Sequence, residues 1–265
     1  MAGPTTAERQ KTADGGSRPP RPPRSRVRLP RTRTLVLSLI ALVLIGAGVV
    51  WALYGSQWLR VERVTTSGTR VLTPEKVREA AAAPVGEPLI SVDTDAIEDR
   101  LRKKLPRIDS VEVVRSWPHG IGLKVTERKP VLLIEKGGKF IEVDAKGVRF
   151  ATVRHAPKGV PLLELMPDQE SAAASLRRFD GDRLRREAVR VAGALPAATA
   201  RDTRAVKVRS YDSISLELRG GRTVDWGSGE KGRAKASTLT ALMKAAPKAR
   251  HFDVSVPTAP ASSAS

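Results

Sequence analysis

Three histidines, His119, His155 and His251, are the side chains best suited to proton transfer or metal ligation near neutral pH. None has a second histidine or a carboxylate at a spacing that would put two ligands on one helix face. A serine nucleophile would need a histidine and a strained strand-to-helix turn. Gly227-Ser228-Gly229 lacks the G-x-S-x-G form and reads as a loop. Gly137-Gly138 and Gly220-Gly221 neither open a helix nor sit in a G-x-x-x-x-G-K pattern, so they read as hairpin turns and not as phosphate cradles. Asp93 and Asp95 are paired carboxylates, but two acids at a helix start serve the macrodipole. Trp117 and Trp226 read as core or sheet-face aromatics. The chain has no cysteine, which excludes disulfides, thiolate zinc sites and a cysteine nucleophile. The expectation is no catalytic residue, no metal and no cofactor. A chain without chemistry acts by binding.

What it binds depends on where it sits. The 265 residues allow one or two domains, and a formal net charge of +19 allows nucleic acid, anionic lipid or anionic wall polymers as surroundings. Leu35 to Tyr54, LVLSLIALVLIGAGVVWALY, has no charge and is long enough to cross a hydrocarbon core of about 30 Å. A cleaved leader has an apolar region of about 7–15 residues and a small-x-small site, neither of which is found here. The segment is therefore expected to stay as a transmembrane helix. Arg24, Arg26, Arg28, Arg31 and Arg33 crowd its N-terminal flank, which predicts a cytoplasmic N-terminus and an extracytoplasmic C-terminal portion. Trp51, Tyr54 and Trp58 suit an interfacial belt. Residues 1–34 carry nine Lys and Arg, prolines in pairs and almost nothing to bury, so a disordered basic tail is expected. Its arginines have no interleaved aromatics, and no nucleic-acid partner is expected.

The outside portion begins with Leu59 to Val64, whose alternation predicts a strand. Thr73-Pro74-Glu75 predicts a helix start and a helix to about Ala83. A second helix starts at Asp93 to Asp95, carries Ile97, Leu101 and Leu105 on one stripe, and ends at Pro106. Val111 and Val113, then Ile121, Leu123 and Val125, alternate as two strands joined through Trp117-Pro118-His119-Gly120. This is a compact β-α-α-β-β unit. Beyond it, Val131 to Glu135 and Lys139 to Val143 flank Gly137-Gly138 as a hairpin, and Val148 to Val153 adds a strand. A Pro-rich crossing over Pro157 to Pro167 precedes a helix bearing Leu184, Ala188, Val191 and Leu195. Strands follow at Val206 and Val208, at Ile214 to Leu218 and at Thr223 to Trp226. An amphipathic helix over Glu230 to Ala246 has Lys231, Arg233, Lys235 and Lys244 off its apolar side, and His251 to Val256 is the last strand expected.

Leu59 to Val64, Gly68, Leu72-Thr73-Pro74-Glu75, Gly86, Val92-Asp93, Leu105-Pro106, Arg115, Trp117-Pro118 and Glu127-Arg128-Lys129-Pro130 together resemble a POTRA domain of the FtsQ/DivIB bacterial cell-division family. Val224 to Lys231 and Phe252 to Pro257 resemble the closing part of the same proteins. The resemblance implies an α+β fold: a transmembrane helix (35–54), a POTRA domain (58–128), a β-rich α+β domain with an open terminal strand (129–257) and a disordered tail (258–265). It also implies a non-enzymatic divisome scaffold at the septum that binds FtsB- and FtsL-type partners and helps control the septal peptidoglycan synthase.

The residues alone leave the last strand as an open edge, an inner member of its sheet or a protected edge. Pro257 to Ser265 read as too small and polar to pair, which would leave an edge able to accept a partner strand. Phe252 and Val254 would then select the partner. The resemblance places the docking segment at Arg250, His251, Phe252, Asp253, Val254, Ser255 and Val256. The alternative is a membrane-anchored binder of anionic cell-wall polymers or lipids.

Overall fold

The computed structural model describes residues 32–166 and 181–264. The expected basic tail lies outside them, apart from Thr32, Arg33 and Thr34, which open helix α1 (Thr32–Gly55). Its 24 residues span about 36 Å at 1.5 Å each, enough for a bilayer core. None of its residues is buried, leaving a continuous apolar surface that suits lipid.

The described residues beyond α1 form two hydrophobic cores. The first is built by β1 (Arg63–Ser67), α2 (Pro74–Ala81), α3 (Thr94–Lys104), β2 (Ile108–Ser116) and β3 (Gly120–Glu127). The sheet order is β1-β3-β2, with β1 parallel and β2 antiparallel to β3. Both helix starts form as their caps dictate. Thr73 accepts the Lys76 N–H at 3.3 Å with Pro74 behind it, and Asp93 accepts the Ala96 N–H at 2.9 Å. Val77 and Ala81 of α2, with Ile97 and Leu101 of α3, then pack on Ile121, Leu123 and Val125.

The first strand lies further along the chain than its alternation predicts. Val61 is fully buried, but its N–H goes to Glu87 O and its carbonyl accepts from Gly86, so this stretch is pinned to a loop. Ladder pairing to β3 begins only at Arg63. Gly68 ends β1 at φ +84, where a Cβ would run into the Val125 carbonyl oxygen.

The second core sits on a nine-stranded sheet. Its strands are β4 (Leu132–Lys136), β5 (Lys139–Val143), β6 (Arg149–Val153), β7 (Leu162–Leu165), β8 (Thr203–Val208), β9 (Ile214–Leu218), β10 (Thr223–Gly227), β11 (His251–Asp253) and β12 (Ala261–Ser263). Helices α4 (Gly181–Ala194), α5 (Ala197–Asp202) and α6 (Gly232–Ala245) complete it. The order is β12-β11-β10-β9-β8-β7-β4-β5-β6. Gly137 and Gly138 both have positive φ, as the β4–β5 hairpin requires. Leu184, Ala188 and Val191 of α4 and Leu239 of α6 share the core with Trp226, Phe252 and Val254.

Two expectations are corrected. Within the expected Pro-rich crossing, Leu162 to Leu165 form a strand that pairs in parallel with both β4 and β8; the end of that crossing, at Pro167, lies outside the described residues. The segment 258–265, expected to be disordered, contributes β12, which pairs antiparallel with β11. The strand expected to be last, over His251 to Val256, is therefore not an open edge. Small polar side chains carry no strand signal here, because β12 pairs by main chain and has all three residues exposed.

Candidate functional site

Among the described residues, no group of three or more His, Cys, Asp or Glu could hold a metal. His119 lies in the β2–β3 turn, His155 follows β6, and His251 is on β11, so the three do not converge. Asp93 is spent as the α3 cap. Trp226 is fully buried, whereas Trp117 is half exposed beside a cis Trp117–Pro118 bond.

The candidate docking segment, Arg250 to Val256, lies at one end of the large sheet. The core fixes two of its seven residues: Phe252 and Val254 are 1% and 0% exposed and share the core with Trp226 and Leu239. They cannot select a partner, contrary to expectation. Period-2 alternation turns the intervening side chains the other way. His251 is held across β10, with Nδ1 3.0 Å from Thr223 Oγ1 and Nε2 3.4 Å from Asp225 Oδ2. Asp253 accepts the Ser255 N–H at 2.9 Å. On one side β11 runs parallel to β10, and Val254 N–H donates to Asp225 O at 2.9 Å. On the other lies β12, in register His251 to Ser263, Phe252 to Ser262 and Asp253 to Ala261, with Arg250 N–H donating to Ser263 O at 3.0 Å.

The two sides differ in what holds them. Val224, beside Phe252 on β10, is fully buried, so that contact carries core packing as well as main-chain bonds. β12 brings only Ala261, Ser262 and Ser263, all exposed. Ordering costs about 1–2 kcal/mol per residue, while each hydrogen bond returns about 0.5–1.5 kcal/mol. The tail strand therefore sits near balance.

Behind β11, Lys235 of α6 is buried, whereas helical periodicity places it with the surface lysines. Its Nζ donates to the carbonyls of Trp226 at 2.8 Å and Ser228 at 2.9 Å, closing the turn between β10 and α6. Desolvation pulls its amine below the ordinary lysine value, Glu230 and Asp253 offsetting this in part.

A second cluster joins the two cores. Glu127, Arg128 and Pro130 belong to the Glu-Arg-Lys-Pro run that carries the resemblance. Glu127 accepts the N–H groups of Arg70, Val71 and Leu72 at 2.7–3.1 Å, fixing the loop ahead of α2. Burial alone would raise its pKa, but these three donors, aided by Arg107, hold it below 4.5. Arg128 binds Asp109 at 3.0 Å, the Pro106 carbonyl at 3.0 Å and the carboxylate of Asp144. Lys146 reaches Asp109 at 2.6 Å, and Arg107 pairs with Glu142 while lying 5.1 Å from the centroid of Phe150. Arg107, Asp109 and Arg128 come from the first unit of the fold, and Glu142, Asp144, Lys146 and Phe150 from the second. No local pattern marks their pairing, because the partners are up to 37 positions apart.

A three-stranded sheet with two helices on it, following one membrane-length helix in the chain, defines a POTRA-bearing protein of the α+β class. The family described as "POTRA domain, FtsQ-type" matches residues 59–128. "Cell division protein FtsQ" of Streptomyces coelicolor is 69% identical over 100% of both chains. The protein of that name from Streptomyces griseus is 72% identical over 80% of this chain and 100% of its own, and that from Mycobacteroides abscessus 31% identical over 85% and 68%. A solved structure of the major extracytoplasmic domain of the division protein DivIB from Geobacillus stearothermophilus has 17% identity and a TM-score of 0.33, covering 45% of this chain and 94% of its own. The chain belongs to the FtsQ family of bacterial cell division proteins.

Proposed function

We propose that this cell-division protein is a non-enzymatic scaffold that docks FtsB- and FtsL-type partners at the C-terminal end of its large sheet, outside the membrane. Through them it helps control the septal peptidoglycan synthase. The observation that supports this best is the sheet end itself: β11, anchored in the core by Phe252 and, just past its end, by Val254, carries a three-residue strand whose residues are all exposed. A main-chain ladder of that kind is the substrate of strand addition. The contact segment is Arg250 to Val256, with His251, Asp253 and Ser255 as its outward side chains in place of Phe252 and Val254. The N-terminus is cytoplasmic, the one helix meets lipid, and the protein works at the septum.

Site-specific photo-crosslinking tests this without breaking the fold. Proline at Val254 is unsuitable, since that N–H already serves Asp225. A crosslinking residue at 251, 253 or 255 should capture an FtsB-type partner in dividing cells, while one at Glu79 or Lys103 on the exposed helix faces should not. Capture only at the helix positions would sink the sheet-end assignment. The alternative, a grip on anionic wall polymer, predicts binding that collapses with added salt, which strand addition does not.

A further inference from the structure

We infer that β12 is a displaceable occupant of the docking edge: the chain's own residues 261–263 cover β11, and a partner strand takes their place instead of adding beside them. The inference rests on the docking reading above and specifies how that site is regulated.

The register carries the argument. Ser262 is the cross-strand neighbour of Phe252, and directly opposed residues of an antiparallel pair share one face of the sheet. Phe252 belongs to the core that Leu239 of α6 also joins, and Leu242 and Met243 of the same helix, only partly buried, pack against that core. The position opposite Phe252 therefore faces apolar surface, and this chain fills it with a serine that stays exposed. An incoming extended segment with a branched or aromatic apolar residue at that position would make the same main-chain ladder and bury area that Ser262 cannot. Lys244, Lys248 and Arg250, close in sequence to β11, are exposed, and Asp253 is the one acid within the segment 250–256. The segment that fits is apolar at its centre and acidic at its flank. Addition to the outer side of β12 would gain none of this, because the three side chains there contribute no buried surface.

The two modes predict opposite effects of removing the tail. The probe is the ectodomain of an FtsB-type protein, titrated against the full chain in detergent micelles. A chain lacking residues 258–265 should bind about tenfold more tightly, and Ser262→Pro should act in the same direction. Ser262→Ile, which supplies the missing apolar group in cis, should weaken binding. Equal or weaker binding by the truncated chain would overturn the inference and favour addition to β12.

Amide exchange of the unliganded chain gives a readout independent of any partner. The Arg250 N–H, bonded to Ser263 O, should exchange at least tenfold faster than the Val254 N–H, bonded to Asp225 O. Isoleucine at 262 should slow the former alone. Equal protection of the two would show that β12 does not open, and would also overturn the inference. If no form of the chain binds the probe, the docking reading has failed, and partner exchange falls with it; the exchange rates then still decide whether the strand opens.

Discussion

Replacing Arg128 with alanine should cost far more than removing a surface arginine, because Arg128 joins the two cores. Its side chain is 16% exposed, and its partner Asp144 is 6% exposed. Removing one member of a buried pair typically costs about 3–5 kcal/mol, since the other charge is left without compensation. Asp144 keeps the N–H groups of Lys146 and Val148 on its other oxygen at 2.8 Å, which puts the cost at the low end, about 3 kcal/mol. For a unit of this size each kcal/mol moves the melting temperature by about 2–4 °C, so a drop of about 6–12 °C is expected. Tryptophan fluorescence of the full chain in detergent can follow the transition, since Trp226 is fully buried while Trp51, Trp58 and Trp117 are already exposed. Arg102→Ala is the control: Arg102 also holds two carboxylates, Asp99 at 2.7 Å and Glu98 at 3.5 Å, but at 45% side-chain exposure. Its effect should be a small fraction of the other. Equal shifts for the two variants would refute the reasoning that burial at the joint sets the cost.

Two further outcomes follow from the same geometry. Glu127 has its pKa depressed on folding, so its contribution is present above about pH 4.5, its unfolded value, and lost as pH falls through the lower folded value. Glu127→Gln should therefore be less stable than the parent at pH 7 and flatten the loss of stability below pH 4.5, measured by denaturant unfolding across pH 3–7. Lys235→Met keeps the stem but strands the carbonyls of Trp226 and Ser228; a loss of about 1–3 kcal/mol is expected, with faster amide exchange concentrated in the turn from β10 into α6.

Local signals account for most of what the sequence revealed. Thr73-Pro74-Glu75 and Asp93 carry their caps within four residues, and Gly137-Gly138 carries its own turn, so those elements could be placed without the fold. Strands with one buried face, such as β3, alternate visibly. β7 does not, because a four-residue strand flanked by Pro161 and Pro167 gives too short a pattern to read. β12 is harder still: Ala-Ser-Ser has no periodicity, and only the neighbouring backbone makes it a strand. Lys235 shows the limit of helical periodicity, for a lysine is placed outside unless the two carbonyls it satisfies are already known. The Glu-Arg-Lys-Pro run was recognisable as a motif. Its physical role, one residue clamping a loop and the next bridging two cores, needed partners distant in sequence.

We propose that partners dock at the C-terminal end of the large sheet. Amide exchange across the whole chain, with and without a saturating FtsB-type ectodomain, tests it most directly. The account predicts new protection concentrated in residues 250–256, with loss of protection in 261–263 as β12 is displaced. Protection confined to α2 and α3, with 250–264 unchanged, would contradict it.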